Sequence, residues 1–319
     1  MGIGRTVTCL LAVLAAQTLS ATALERSVSP SRQFVIYGAD ALSRGAVSDL
    51  AEKTKANLLA LLRSADEWKT PIIINLQRTQ ANLPEIPVLG LRFSQTGFGL
   101  KLQLDLVMAA NLDRAALERE LLRAILLEMI YRDEPALAPG TSYVQPPDWL
   151  LDGVLALAPG RDRSQLIEAL AVSNKIMSLD QFLDQRPELV DSPTRQQYRS
   201  YSFALVQLLV DQADGPKHLA RYIANLSHAT KDSLTDLRLQ FPVLAGNDAD
   251  RIWESNIVRL SKNYQLLSFA ETERELDESL QTLGDEKSKG AAKLRELARR
   301  KGRHLGRGPS HSVHGALAR

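Results

Sequence analysis

The first third of the chain alternates between strand-like and helix-like hydrophobic patterns. Residues 33–37 (QFVIY) form a short apolar run typical of a strand, and apolar positions then recur at helical spacing through about Leu62. The apolar run 71–76 (PIIINL) predicts a second, more buried strand. Apolar and polar residues alternate over 89–93 and again over 100–106, which is typical of an antiparallel ribbon with one exposed face.

From Asp113 onward the pattern is helical only. The segment 114–132 is apolar on nearly every side, which predicts a buried helix with Asp113 as its N-cap. A short helix over 149–157 follows the Pro146-Pro147 break. Further helices are predicted at 164–174, 179–184, 194–212, 217–227, 232–240, 248–262 and 269–283. The predicted fold is therefore α+β: a small mixed sheet in the N-terminal third, packed on a buried helix and followed by an all-helical C-terminal part.

Residues 1–23 have the pattern of a secretory signal peptide. They combine a positive charge at Arg5, an apolar run over 7–16 and small residues before a cleavage site after Ala23. We therefore expect a periplasmic or extracellular protein. The apolar run is shorter than the about 20 residues that a transmembrane helix needs, and no later segment offers such a run.

After the signal peptide, positive and negative charges are unevenly distributed along the chain. We predict an α+β half over 24–160, a helical half over 161–283 and a disordered tail over 284–319. The tail holds ten Lys/Arg against three Asp/Glu, while the whole chain has a net charge of only +2, so the body is acidic. Such a tail predicts salt-dependent contact with anionic surfaces, with no specific recognition of nucleic acid.

Composition excludes several kinds of site. The only cysteine, Cys9, lies within the signal peptide, so the mature chain has no disulfide, no zinc–thiolate site and no cysteine nucleophile. The sequence also lacks the G-x-S-x-G elbow, the phosphate-binding Walker loop and the dinucleotide-binding G-x-G-x-x-G pattern. None of the five histidines lies in the buried helix; they are His218, His228, His304, His311 and His314.

Two short stretches carry a resemblance to a known family. The buried helix contains LEMIY at 127–131, and WLLDG follows at 149–153. Together with the order of elements, they resemble the gluzincin-type metallopeptidases of the peptidase MA clan, which carry H-E-x-x-H on a helix and often W-L-x-E-G on a later one. The resemblance implies a zincin-like α+β half over 24–160 and, in catalytic members, a zinc ion held by two histidines and a glutamate.

The residues that would hold the metal differ from that pattern. Leu127 and Tyr131 stand where the two histidines belong, Glu128 keeps the place of the catalytic glutamate, and Asp152 replaces the third ligand. A second register, 123–127, keeps neither the glutamate nor a histidine. We therefore predict a degenerate domain with no metal cofactor, because one carboxylate does not hold a catalytic zinc ion.

Four residues remain as candidates for a vestigial cleft, and each has a structural alternative. Glu128 would otherwise reach solvent or pair with Arg132 at i+4, and Asp152 would otherwise favour the N-terminus of its helix through the helix dipole. Tyr131 and Trp149 would otherwise belong to the hydrophobic core.

The sequence leaves three functions open. The first is a secreted, non-catalytic, peptidase-like protein of the cell envelope that binds a protein or peptide. The second is a hydrolase with an unrecognised active site. The third is a binder of polyanions or envelope surfaces that acts through the basic tail.

Overall fold

A computed structural model of the chain describes residues 25–262, except for 79–87, 97–98, 110–111, 135–142, 173–174, 190 and 231, together with 273–274, 281, 289, 293 and 295. The predicted signal peptide, nearly all of the predicted tail and most of the predicted helix 269–283 lie outside the described residues. The chain divides into two compact units, Met1–Leu260 and Ser261–Arg319, and all elements named below belong to the first.

A five-stranded mixed sheet forms the N-terminal part of this unit. Its strands are β1 (Arg26–Val28), β2 (Phe34–Gly38), β3 (Ile72–Arg78), β4 (Leu89–Thr96) and β5 (Gly99–Met108). The order across the sheet is β1-β2-β3-β5-β4, with β2, β3 and β5 parallel and the two edge strands antiparallel to their neighbours. The predicted antiparallel ribbon is confirmed as β4 and β5, and β5 also pairs with β3, so that Ile74 lies opposite Leu104.

Helix α1 (Ala41–Leu62) connects β2 to β3. Its N-cap Asp40 accepts a hydrogen bond from the backbone N–H of Ser43 at 2.9 Å, and its C-cap Arg63 adopts the left-handed conformation. The helix packs on β1, β2 and the helix that follows the sheet. A parallel crossover through a helix is the connection that a β2-to-β3 parallel pair requires.

Helix α2 (Arg114–Tyr131) is the buried helix that the sequence predicts. The predicted N-cap is confirmed, because Asp113 accepts a hydrogen bond from the N–H of Ala115 at 2.8 Å. The helix packs against β4, β5 and α1, and its side chains Leu126, Leu127 and Ile130 are buried. One of its faces thus completes the core beneath the sheet.

The rest of the unit is helical. The remaining helices are α3 (Asp148–Leu157), α4 (Ser164–Val172), α5 (Leu179–Leu183), α6 (Ser192–Val210), α7 (Gly215–Ala224), α8 (Ser233–Gln240) and α9, of which residues 249–260 belong to this unit. Their order confirms the predicted α+β class, with the sheet confined to the N-terminal part.

Close packing of α3 on α6 sets the position of Asp148 and Asp152, which α3 carries. A side chain at Gly153 would meet Cγ2 of Val206 at 2.3 Å and the carbonyl oxygen of Ser202 at 2.4 Å. Only a glycine, which has no Cβ atom, allows the two helices to pack this closely. Gly153 therefore determines how deeply α3 sits in the unit. The helix α3 also contacts α2, and α4 packs on α6.

Candidate functional site

Glu128 is fully buried on α2 and connects this helix to the segment before β3. Its Oε1 accepts hydrogen bonds from the backbone N–H groups of Lys69 at 3.0 Å and Thr70 at 3.2 Å. Its Oε2 lies 2.8 Å from the Arg132 guanidinium, so of the two structural alternatives the i,i+4 pair forms and exposure to solvent does not. Burial raises the pKa of Glu128, although the two amides and the guanidinium oppose that rise.

Tyr131 and Trp149 belong to the hydrophobic core. The Tyr131 hydroxyl accepts a hydrogen bond from the N–H of Val144 at 2.7 Å, and its ring lies 4.9 Å from that of Phe93. The Trp149 ring is buried 5.8 Å from the Tyr222 ring. The structural alternative for both aromatic residues is therefore confirmed.

Asp152 lies in an ionic cluster between α2 and α3. Its carboxylate pairs with the Arg119 guanidinium, whose other terminal nitrogen lies 2.5 Å from the Asp148 carboxylate. Arg123, one turn along α2, lies 3.4 Å from the same Asp148 oxygen. These four residues, named the Arg119 cluster below, place two cations of one helix against two anions of the next.

The Arg119 cluster and Glu128 occupy different faces of α2. Arg119 and Glu128 are nine residues apart, which corresponds to about 2.5 turns and about 13 Å along the axis. Glu128 accordingly contacts the segment before β3, while Asp152 contacts Arg119. The structure therefore does not bring Glu128 and Asp152 to one cleft.

Desolvation dominates the electrostatics of the Arg119 cluster. Burial raises the pKa of Asp152, and the Arg119 guanidinium opposes this rise. Burial likewise raises the pKa of the Tyr198 hydroxyl on α6, and the carboxylates of Asp148 and Asp152 raise it further. The site thus holds a carboxylate that depends on a neighbouring cation to remain charged, beside a phenol that stays protonated.

A groove of about 480 Å³ lies beside the cluster, between α2, α3, α4 and α6. This volume falls within the range of sites that bind small molecules. Asp152 and Arg119 form part of its wall, and a second ion pair between Arg161 and Glu118 lies next to them. The other charged and polar side chains of the lining include Asp113, Asp162, Gln165, Gln196 and the exposed Arg199, with Leu155 and Leu166 as apolar members.

Sequence reasoning missed Arg119, Arg123, Asp148 and the groove. The signal was present as two matching spacings: arginines at i and i+4 around Glu120 on α2, and aspartates at i and i+4 on α3. Opposite charges at equal spacing on consecutive helices can meet in register when the helices lie side by side.

The described residues contain no group of three or more His, Asp or Glu side chains arranged to hold a metal ion. His218 lies 6.0 Å from the Phe241 ring, and His228 pairs with Glu134 at 2.9 Å. The other three histidines lie outside the described residues. At the cluster itself, two guanidinium groups stand where neutral imidazoles would be needed, so these side chains do not fit a divalent cation.

No family model and no curated protein matches the chain. Within the described part, none of the helices combines the length and the apolar content that crossing a membrane would require.

Proposed function

We propose that this chain is a non-catalytic, peptidase-like binding protein of the cell envelope that takes a peptide or an extended protein segment into the groove beside the Arg119 cluster. The observation that carries the proposal is the engagement of Arg119 by both Asp148 and Asp152. A carboxylate oxygen engaged by a guanidinium in this way is directed at that cation and is not free to turn towards a substrate.

The lining of the groove suits a peptide. Exposed Gln165 and half-buried Gln196 offer amides that donate to and accept from a peptide backbone. Arg199 and Asp162 offer one charge of each sign to side chains, and Leu155 offers an apolar surface.

Export and the basic tail belong to the same proposal. Residues 1–23 would direct the chain out of the cytoplasm, and the tail 284–319 would hold it near anionic envelope surfaces. Both segments support a location in which a peptide-binding protein meets other exported chains.

The experiment that tests the proposal screens the purified chain against a fluorescent hexapeptide library by polarisation. The charge reversal Arg199→Glu should weaken the selected peptides by about tenfold or more, as loss of a central charged contact does. The matched control Arg251→Glu reverses another exposed charge, which lies outside the groove lining, and should leave affinity unchanged.

Two results would contradict the proposal. Selected peptides that bind both variants equally would place the binding surface elsewhere. Cleavage of the selected peptides, detected by mass spectrometry and lost in Asp152→Asn, would instead support the alternative of a hydrolase with an unrecognised active site.

A further inference from the structure

The hairpin between β1 and β2 places an arginine where the backbone favours glycine. Val28 pairs with Val35, and in the turn between the strands the N–H of Arg32 donates to the carbonyl oxygen of Ser29 at 2.9 Å. Arg32 has a φ of 64°, in the left-handed region that glycine and asparagine adopt most readily in such turns. An arginine kept in this conformation indicates a use for its side chain, because backbone strain of this kind is concentrated at ligand-binding sites.

Arg32 borders a cavity of about 440 Å³ at the point where the chain enters β2 and β3. Asp66, Trp68 and Lys69 line the same cavity, which is named the Arg32 cavity below. Arg32 is exposed, and its guanidinium forms no ion pair or hydrogen bond within the described part of the chain. No described residue lines both this cavity and the groove beside the Arg119 cluster, so the two are separate sites.

The acidic side chain of the Arg32 cavity is held from behind by a buried lysine. Asp66 Oδ2 lies 2.8 Å from Nζ of Lys55 on α1, and Asp66 Oδ1 accepts a hydrogen bond from the Gln33 side-chain amide at 2.6 Å. Lys55 also donates to the side-chain carbonyl oxygen of Gln33. These contacts engage both carboxylate oxygens and both polar atoms of the Gln33 side chain, and they fix this wall of the cavity.

The charge that remains in the lining is positive. Glu52, which lies 3.5 Å from the Lys55 ammonium, is not a lining residue, and its carboxylate accepts a hydrogen bond from the N–H of Ser31 at 3.1 Å. Lys69 pairs with Asp133 at 2.5 Å, but both side chains are more than half exposed, and an exposed pair of this kind contributes little stability. The lining therefore offers two cations to a ligand, and its one carboxylate is already engaged.

We propose that the Arg32 cavity binds the oxyanion group of a small ligand, a carboxylate, phosphate or sulfate group, with Arg32 as the main contact and Lys69 as a second cation. A guanidinium presents five N–H donors in a planar fork, which matches the oxygens of such a group in a bidentate contact. The Trp68 indole N–H, another donor in the wall, is buried without an acceptor among the described residues. The ligand must accordingly supply acceptor oxygens. This site goes beyond the proposed peptide groove and does not depend on it.

The test titrates the mature chain with phosphate, sulfate and acetate at constant ionic strength, adjusted with chloride. Binding is followed by the melting temperature and by the indole N–H cross-peak of Trp68 in ¹⁵N NMR spectra, assigned with Trp68→Phe. We expect a saturable rise in melting temperature and a saturable shift of the cross-peak at millimolar anion. A response to phosphate and sulfate alone would assign a tetrahedral ligand group, and an equal response to acetate would assign a carboxylate.

The variant Arg32→Gly separates ligand binding from folding. It removes the guanidinium and relieves the left-handed conformation, so anion affinity should fall about tenfold or more, while the melting temperature without anion rises by about 1–3 °C. The matched control is Arg63→Gly, because Arg63 also has a positive φ, of 49°, and lies outside the lining. The control should raise the melting temperature similarly and keep the full anion response.

Two results would overturn the proposal. One is a parent chain without a saturable response to any of the three anions, or a response that Arg32→Gly retains in full. The other is a lower melting temperature of Arg32→Gly without anion, which would show that the arginine is kept for the fold. Arg32→Gln gives an independent test, because it removes the charge without changing the backbone conformation. It should lose the anion response at an unchanged melting temperature, and a glutamine variant that responds like the parent would also overturn the proposal.

Discussion

Replacing Gly153 by alanine tests whether the close approach of α3 and α6 holds the candidate site in place. The new methyl carbon would lie 2.3 Å from Cγ2 of Val206 and 2.4 Å from the carbonyl oxygen of Ser202. Carbon atoms in van der Waals contact are about 3.5–4.0 Å apart, so α3 must move away from α6 by roughly 1 Å. The backbone oxygen of Ser202 cannot rotate aside, which leaves helix displacement as the main relief.

Two opposing effects determine the size of the change in the free energy of unfolding. Alanine favours a helix over glycine by about 1 kcal/mol, which acts to stabilise the variant. Overpacking of a core costs typically about 1–3 kcal/mol and occasionally more. Displacement of α3 also loosens the buried neighbours Leu150, Leu151 and Val154, which adds to the cost. We expect a net destabilisation of about 1–3 kcal/mol.

The assay is urea unfolding followed by far-ultraviolet circular dichroism, with Gly45→Ala as the matched control. Gly45 is exposed on α1, and a methyl group there has no other atom within 4 Å. The control should therefore be stabilised by about 0.5–1 kcal/mol, because only the helix preference acts. If Gly153→Ala were stabilised as much as Gly45→Ala, the reasoning about the α3–α6 contact would be refuted.

Three further predictions concern the other candidate residues and the tail. Because burial raises the pKa of Glu128, folding favours the neutral form of its side chain. The stability that this neutral form contributes is complete below the ordinary pKa of 4.5 and is lost as pH rises through the raised pKa. Glu128→Gln should therefore gain stability relative to the parent chain as pH rises from 4.5 towards neutrality in urea titrations, and a relative loss would show that Arg132 and the two amides outweigh burial. Leu127→His with Tyr131→His should cost about 4 kcal/mol or more, because both rings enter a buried interface, and added zinc should not restore the melting temperature; a zinc-dependent recovery would contradict the description of that region as filled core. Truncation after Leu283 should leave the melting temperature nearly unchanged and reduce retention on a heparin column at low salt, since ten Lys/Arg are removed; a large drop in melting temperature would show that the tail contributes to the fold.

Local patterns predicted most of the elements, and pairing between distant segments escaped prediction. The strands β2, β3, β4 and β5 and the helix α2 lie close to their predicted positions, because period-two and helical patterns arise within one element. The three-residue β1 is too short to produce a pattern. The parallel pairing of β3 with β5 depends on a crossing of the chain that no local pattern encodes.

The candidate site shows the same division. The ion pair of Glu128 with Arg132 joins residues one turn apart, so helix geometry alone predicts it. The ion pair of Arg119 with Asp152 joins residues of two helices, so it depends on how α3 is placed in the unit, and Gly153 allows the close approach of α3 to α6.

By itself, the sequence determined that an α+β fold with a buried α2 would form and that Asp113 would cap it. It left Tyr131 and Trp149 open between a cleft and the hydrophobic core, and the structure places both in the core. Burial and capping follow from residue types within a few helical turns, so the sequence alone predicts them. Only the tertiary structure decided that Asp152 meets Arg119 while Glu128 faces the opposite side of α2. The physical reason is that the partner of a charged side chain depends on the rotation and separation of two packed helices, which the whole core sets together.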